Sequence, residues 1–356
     1  MGLKELRAQI DQIDSQLLHL LGDRADLVHR IGALKKEAGA EIYAPERELQ
    51  LLKSLLERNE GRLTPESVRA IYREIMSASL AVEKGIAIAY LGPEGTWTHQ
   101  AAREKFGASV RYLPQSDIGD VFNEVARRHA DYGVVPVENS TEGAVNHTLD
   151  MFMESDLKIC AQILLRIENH LLSRTSREEI AKIYSHPQVF GQCREWLQRE
   201  MRGVELVEVS STTRAAERAA GESGAAALAG RMAAEVYRLP VLQRNVQDDP
   251  DNTTRFLVIG PESCPRTGKD RTSLMFGLRD EPGALFAALE PFDRFKLNLN
   301  KIESRPSRRK PWEYFFFVDV EGHQEDGSVE AVVGALKKSC SILKVLGSYP
   351  DAEPAP

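Results

Sequence analysis

From Leu3 to Leu34 the apolar residues step by three and four: Leu3, Leu6, Ile10, Ile13, Leu17, Leu20, Leu27, Ile31, Leu34. That spacing is the seam of a long, coiled-coil-like helix. One step is missing. Arg24 stands where the next apolar side chain belongs, and an unpaired guanidinium buried in such a seam is very costly. Two readings satisfy it: an internal ion pair with an acid such as Asp14 or Glu48, or a seam that encloses an acidic ligand. Lys35 favours the second reading. It lies eleven residues further on, so at 3.6 residues per turn it points almost the same way as Arg24. Arg7 and Arg47 add two more cations. Arg7 and Arg24 are roughly 25 Å apart along one helix. A small dicarboxylate therefore reaches both only if Arg7 comes from a second copy, which predicts a homodimer or a dimer of dimers.

Two shorter helices follow. One begins at Pro45 and carries Leu49, Leu52 and Leu56 on one face. The other begins at Thr64-Pro65, a cap followed by proline at the first helical position, and carries Val68, Ile71, Ile75 and Val82. Ser79 and Glu83 share a face of that third helix, as a solvated edge or as part of a site.

After Gly85 the grammar changes. The runs Ile86–Tyr90, Tyr132–Val137, Leu157–Leu165, Val204–Val209 and Ala225–Ala229 read as strands between helical stretches, an α/β pattern. Its length suits two small lobes with a cleft between them. From Arg271 the order βαββαβ is ferredoxin-like, an α+β unit. Pro261–Asp270 reads as a linker and Asp351–Pro356 as a loose tail. The expected division is 1–84, 86–262 and 271–350.

Within the α/β stretch, uncharged polar residues gather where strands end. They are Gly95-Thr96-Trp97-Thr98, Glu138-Asn139-Ser140-Thr141-Glu142-Gly143, Ser185-His186-Pro187-Gln188 with Gln192, Ser210-Ser211-Thr212-Thr213, and Asp251-Asn252-Thr253-Thr254-Arg255. Singly, each reads as capping and turn chemistry. Together, at the strand ends of one α/β unit, they are positioned to converge on a cleft. The turn after the first strand lacks G-x-G-x-x-G and GK[ST], which argues against dinucleotide and P-loop sites. No Ser/His/Asp or Cys/His order suggests a covalent nucleophile. His186 reads as structural and Cys193 as core.

The net charge of −7 in 356 residues argues against wholesale nucleic-acid binding. No run has the length of a membrane span, and the first residues lack the apolar core of a signal peptide. Cys160, Cys193, Cys264 and Cys340 are too scattered for a metal knuckle or a disulfide framework. The expectation is a cytoplasmic, reduced protein without metal or cofactor.

Three resemblances sharpen this reading. LRAQIDQIDSQLLHLLGDRADLVHRIGALK, PERE and SASLAVE resemble the all-helical class of chorismate mutases over the first 83 residues or so. The resemblance implies that Arg24, Arg47 and Arg7 of a partner subunit grip the two carboxylates of chorismate. Lys35 and Glu83 would bond the ether oxygen, while Ser79 and Glu48 orient the ligand. The rearrangement is intramolecular, so holding the compact conformer and stabilising charge on that oxygen suffice. Two positions vary in the family: some members have Asp where this chain has Ala44, and some have Gln at position 83. Glu83 donates to an ether only when protonated, so mutase turnover is expected to fall as pH rises.

GPEGTWTHQAA, PVENSTEG, SHPQVFGQC and TTRF resemble prephenate dehydratase over about residues 86–260, a family with a two-lobed, periplasmic-binding-protein-like fold. Prephenate is the product of the first reaction. The resemblance implies that Thr254 serves the departing hydroxyl and that Arg255 steadies a carboxylate or the local backbone. Thr96, Thr98, Asn139, Ser140, Ser185, Gln192, Thr212 and Asn252 would position the ligand.

Residues 271 to about 350 resemble an ACT domain, on Pro282-Gly283-Ala284-Leu285, Asn298 and Glu303-Ser304-Arg305-Pro306. This implies a phenylalanine pocket at a dimer interface, formed by Gly283, Ala284, Leu285, Asn298, Glu303, Ser304, Arg305 and Pro306, and feedback inhibition through it. The whole then reads as a bifunctional enzyme of phenylalanine biosynthesis. Its rivals are a monofunctional prephenate or arogenate dehydratase with a helical dimerisation domain, and a non-catalytic binding protein.

Overall fold

The computed structural model describes residues 2–39, 43–307 and 313–351. The chain divides into two compact units. The smaller comprises the amino-terminal helices up to Ile86 together with Phe106–Arg111. Helix α1 (Leu3–Ala38) runs unbroken for 36 residues and stops at Gly39, whose φ of 66° is the left-handed conformation that closes helices. Helix α2 (Pro45–Glu57) and helix α3 (Pro65–Glu83) follow, each with proline in its first turn. Thr64 caps α3 by accepting the Ser67 N–H at 3.2 Å. No residue of α1 is buried, and its seam residues Leu17, Leu27 and Leu34 are 51%, 57% and 65% exposed. The heptad pattern makes the helix, but a single chain does not cover it. Phe106–Arg111 closes onto α3, where Glu74 and Ser77 accept the N–H groups of Ala108 and Ser109 at 2.9 Å each.

The larger unit is built on three sheets. Its first lobe contains β1 (Ala87–Leu91), α4 (Trp97–Phe106), β2 (Arg111–Gln115), α5 (Ile118–Ala126), β3 (Tyr132–Asn139), β4 (Gly143–Ala144), α6 (Asn146–Glu154) and β5 (Lys158–Arg166). The chain crosses to a second lobe with β6 (His170–Leu172), β7 (Lys182–Ser185), α7 (Pro187–Gln192), α8 (Arg194–Glu200), β8 (Glu205–Glu208), α9 (Thr212–Gly221), β9 (Ala225–Ala229), α10 (Arg231–Tyr237) and β10 (Val241–Gln243). It then returns through β11 (Thr253–Gly260), which inserts antiparallel between β3 and β5. The sheet orders are β2-β1-β3-β11-β5, with β4 on β3, and β10-β6-β9-β7-β8. Strand β9 is buried throughout, with Ala226 and Leu228 in one core cluster and Ala225, Ala227 and Ala229 in the other. This is period-two alternation in a strand covered on both faces.

The third sheet has the order β13-β14-β12-β15, from β12 (Asp270–Gly277), α11 (Ala284–Arg294), β13 (Leu299–Pro306), β14 (Tyr314–Glu321), α12 (Gly327–Ser339) and β15 (Ile342–Pro350). This is the βαββαβ order read from the sequence. Leu274, Phe276, Val318 and Val320 face its two helices. Met275, Phe315, Phe317 and Tyr349 on the opposite face join the first-lobe core with Val135, Phe152 and Leu257. Burying each such side chain contributes about 1.5–3 kcal/mol, so the third sheet and the first lobe share one core. Gly347 lets the backbones meet: a Cβ there would lie 2.3 Å from the Ile159 carbonyl oxygen.

The five strands read from apolar runs are present within a residue or two. Short or half-exposed strands such as β2 and β6 carry no apolar run long enough to announce them. Asp351 departs from the expected loose tail: its N–H donates to Lys269 O at 2.9 Å, and its carboxylate meets Gln162 and Arg271. The rest of that tail, residues 352–356, lies outside the described residues.

Candidate active sites

Strands β3 and β11 end side by side, and their register sets Thr254 opposite Asn139. The pairing slips between Arg255 and Phe256, where Pro136 of β3 has no N–H to give. The Asn139 side chain is oriented without ambiguity. Its Oδ1 accepts the backbone N–H groups of Thr141 at 3.0 Å and Glu142 at 3.2 Å. Those groups only donate, so the amide nitrogen faces the other way. It donates to Thr254 Oγ1 at 2.9 Å and to Asn252 Oδ1 at 2.7 Å. Thr254 thus accepts through its oxygen and keeps its hydroxyl proton available.

Around this pair an open cleft of about 960 Å³ lies between the lobes, lined among others by Thr96, Trp97, Thr98, Asn139, Gln192, Thr212, Asn252 and Thr254. The turns come from the ends of β1, β3 and β7 and the starts of α9 and β11. Thr96 holds its turn by donating to Leu91 O at 3.0 Å and accepting the His99 N–H at 3.2 Å. His99 Nδ1 accepts the Gly95 N–H at 3.1 Å, and burial holds its pKa below the ordinary histidine value. Asn252 is 2% exposed, and its Nδ2 has no partner among the described residues. Gln192 Nε2 donates to Glu142 Oε1 at 3.1 Å, joining the second lobe to the first.

Three expected ligand residues stand elsewhere. Ser185 is fully buried and donates its hydroxyl to Leu228 O at 2.8 Å. Ser140 lies on the surface, where its oxygen accepts the Thr253 N–H at 3.0 Å. Arg255 points to the opposite face of the sheet from Thr254, as strand alternation requires. There its guanidinium donates to Gln162 at 2.8 Å, Asp319 at 2.5 Å and Tyr349 at 2.7 Å. Burial works against that charge, but Tyr349 and Asp319 more than offset it and hold Arg255 above the usual arginine range. Its donors are thus engaged by side chains of β5, β14 and β15. Conversely, Glu142, His186 and Gln188 line the cleft without having been singled out as ligand residues. They lay inside the quoted turns, with nothing in the pattern to separate them from capping neighbours.

In the helical unit, Arg24 Nη1 donates to Ser79 Oγ, so α1 and α3 meet at the break in the seam. Its partner here is a hydroxyl, not the acid that an internal ion pair requires. Lys35 Nζ lies 3.1 Å from Glu83 Oε1, with side chains 25% and 7% exposed. Gly32 makes room for this pair: a Cβ at that position would lie 2.7 Å from Glu83 Cγ. Arg47 is exposed and Glu48 half-buried on the first turn of α2, and Ala44 caps that helix without a side-chain acceptor. Arg7 is exposed near the start of α1 and is not brought to Arg24 within one chain.

In the third sheet, Gly283 has a φ of 82° and opens α11. Ala284 and Leu285 line an open cavity of about 1100 Å³ with Leu278, Tyr314 and Phe316. The remaining expected phenylalanine contacts are dispersed. Burial alternates along β13, so Glu303 and Arg305 share the inner face while Ser304 and Pro306 are exposed on the other. Arg305 is held bidentately by Asp150 of α6 at 2.8 and 2.9 Å. Asn298 donates to Glu321 at 2.7 Å.

Among the described residues, no group of three His, Cys, Asp or Glu could hold a metal ion, and no helix is long and apolar enough to cross a membrane.

Three family models match in order: chorismate mutase type II over residues 6–84, prephenate dehydratase over 88–264 and the ACT domain over 272–337. A bifunctional chorismate mutase/prephenate dehydratase of Aquifex aeolicus is 52% identical over 355 residues, covering 98% of each chain. The crystal structure of a prephenate dehydratase from Arthrobacter aurescens, in complex with L-Phe, is 31% identical. It covers 76% of this chain and 92% of its own, with a TM-score of 0.71. A protein described as a novel type of quorum quenching acylase is also similar, at 28% identity, 75% and 98% coverage and a TM-score of 0.69. The two-lobed fold therefore does not by itself fix the reaction. The identity along the whole chain, mutase, dehydratase and ACT segments in order, does: this chain belongs to the bifunctional chorismate mutase/prephenate dehydratase family.

Proposed function

We propose that residues 1–84 rearrange chorismate to prephenate, that residues 86–262 convert prephenate to phenylpyruvate, and that residues 271–350 bind phenylalanine and inhibit the second step. The observation that carries the dehydratase assignment is the fixed amide of Asn139 on Thr254. In this reaction the ring carboxylate leaves as CO₂ and its bonding electrons complete the aromatic ring. The C4 hydroxyl departs and takes up a proton to become water. A neutral threonine is a weak acid, so Thr254 acts by hydrogen-bonding the departing oxygen, and the net proton comes from solvent. Asn252, Gln192, Thr96, Thr98 and Thr212 hold the ligand from around the cleft.

The Arg24–Ser79 hydrogen bond and the Lys35–Glu83 pair support a mutase site between α1 and α3, with Arg47 and Glu48 completing it from α2. Chorismate loses a C–O bond and gains a C–C bond within one molecule, so these groups act by position and charge. The exposed seam of α1 supports assembly through a second copy, whose Arg7 reaches the ligand, as a dimer or a dimer of dimers. The cavity beside Ala284 and Leu285 supports a phenylalanine site completed by another copy. The four free cysteines suit a reducing compartment, and we place the enzyme in the cytoplasm. The test supplies purified protein with chorismate and follows its disappearance and phenylpyruvate formation, with and without phenylalanine. Chorismate consumption without phenylpyruvate refutes the dehydratase assignment. Turnover of prephenate but not chorismate refutes the mutase assignment.

A further inference from the structure

Behind the dehydratase cleft, on the opposite face of the same sheet, four charged side chains alternate in sign. Lys301 Nζ lies 2.8 Å from Glu138 Oε2. That oxygen is 3.8 Å from Arg255 Nη1, which is 2.5 Å from Asp319 Oδ2. Glu138 and Arg255 face each other in the register of β3 and β11. Each adjoins a cleft residue in sequence: Glu138 precedes Asn139, and Arg255 follows Thr254. Lys301 and Asp319 belong to β13 and β14 of the third sheet. Three members of the row are largely withdrawn from solvent, with Lys301, Arg255 and Asp319 side chains 15%, 9% and 9% exposed, while Glu138 is 35% exposed.

Strand β13 is an edge strand that reports on both of its faces. Lys301 and Arg305 point toward the first lobe, where they meet Glu138 and Asp150. Ile302 and Ser304 point the other way and are exposed. A ligand that shifts the outer face of β13 therefore displaces Lys301, and with it the carboxylate one residue from Asn139. Asn139 in turn aims the Thr254 hydroxyl. A shift of this kind misaligns a donor without unfolding the site, and catalysis is sensitive to displacements of about 1 Å.

We propose that the Lys301–Glu138 ion pair is the coupling element between the third sheet and the dehydratase cleft, with Glu138 a positioning residue for Asn139 and Thr254. The proposal rests on the reading that phenylalanine binds the third region.

The experiment uses the full-length protein and two readouts, calorimetric phenylalanine binding and the dehydratase rate at saturating phenylalanine. The parent is expected to lose rate by about tenfold or more, within the usual range of allosteric coupling. Lys301→Met is expected to bind phenylalanine within about threefold of the parent yet lose less than about threefold in rate, and Glu138→Gln to behave alike. Lys301→Arg, which keeps the charge, retains the inhibition. The dehydratase rate without phenylalanine and the thermal unfolding midpoint, read on the same samples, report that the larger unit of each variant is folded. Full inhibition of both Lys301→Met and Glu138→Gln overturns the proposal. So does loss of phenylalanine binding in Lys301→Met, which makes Lys301 a ligand residue instead. A parent protein that phenylalanine neither binds nor inhibits overturns the regulatory reading as well, and shows it before any variant is made.

Discussion

The side-chain amide of Asn139 donates to the hydroxyl oxygen of Thr254 at 2.9 Å, and two backbone N–H groups on its other side prevent it from turning over. One hydrogen bond thus sets the direction of another. Removing the Thr254 hydroxyl in Thr254→Ala is expected to lower dehydratase kcat about a hundredfold or more, the usual effect of deleting one transition-state donor. Mutase turnover in the same variant stays near that of the parent. Asn139→Asp replaces the donor by an acceptor and is expected to fall by a comparable factor. Near-normal phenylpyruvate formation by Thr254→Ala removes that hydroxyl from the mechanism.

Gly32 is a contact position between α1 and α3 that no charge pattern reveals. Its missing side chain lets Glu83 pack against α1, with only 2.7 Å between a hypothetical Cβ and Glu83 Cγ. Gly32→Ala improves helix propensity yet pushes Glu83 away from Lys35. The expected outcome is a mutase kcat lower by about ten- to a hundredfold, with dehydratase activity retained. Steady-state assays of both activities on one preparation check it, and an unchanged mutase rate shows that the helices simply part.

The α1 seam predicts dependence on assembly. Leu17 and Leu27 are 51% and 57% exposed in one chain, part of an apolar stripe that a single chain leaves open. Leu17→Lys is expected to shift the protein to monomers in analytical ultracentrifugation and to reduce mutase activity about a hundredfold, because Arg7 no longer reaches the site. A monomeric variant with full mutase activity refutes the shared site.

Asp319 sets an acid limit. Burial raises its pKa, but the Arg255 guanidinium and the Ser273 hydroxyl outweigh burial and hold it below the ordinary aspartate value. A carboxyl depressed in the folded state stabilises at pH above its unfolded value. That contribution is lost as pH falls below about 4. Asp319→Ala leaves Arg255 buried without its partner and is expected to cost about 3–5 kcal/mol at neutral pH. Denaturant unfolding across pH checks both, and the variant should lose part of the acid slope.

Much of this protein was legible in its residues, for reasons that differ by region. Helices α1 to α3 follow from apolar spacing and from Pro45 and Thr64-Pro65, which are local signals. The order βαββαβ follows from runs that switch between periods of two and 3.6. The turns around Asn139 and Thr254 could be quoted as candidates, but which of their side chains enter the cleft was not decided there. Thr254 and Arg255 are adjacent, equally polar in pattern, and point to opposite faces. Ser185 and Gln192 both sit near the same strand-to-helix junction, and only Gln192 lines the cleft.

By itself, then, the sequence determined which segments are helix or strand, where positive charge interrupts an apolar seam, and which polar turns fall at strand ends. Backbone propensity and hydrophobic period act over a few residues, so these features need no fold to be read. The tertiary structure decided that Arg255 and Arg305 pair with Asp319 and Asp150 and so join the third sheet to the first lobe, that Gly32 admits Glu83, and that Lys301 meets Glu138, the neighbour of Asn139. Those relations join residues far apart in the chain, and only the packing of β13 and β14 on the first lobe, and of α1 on α3, brings them within bonding distance.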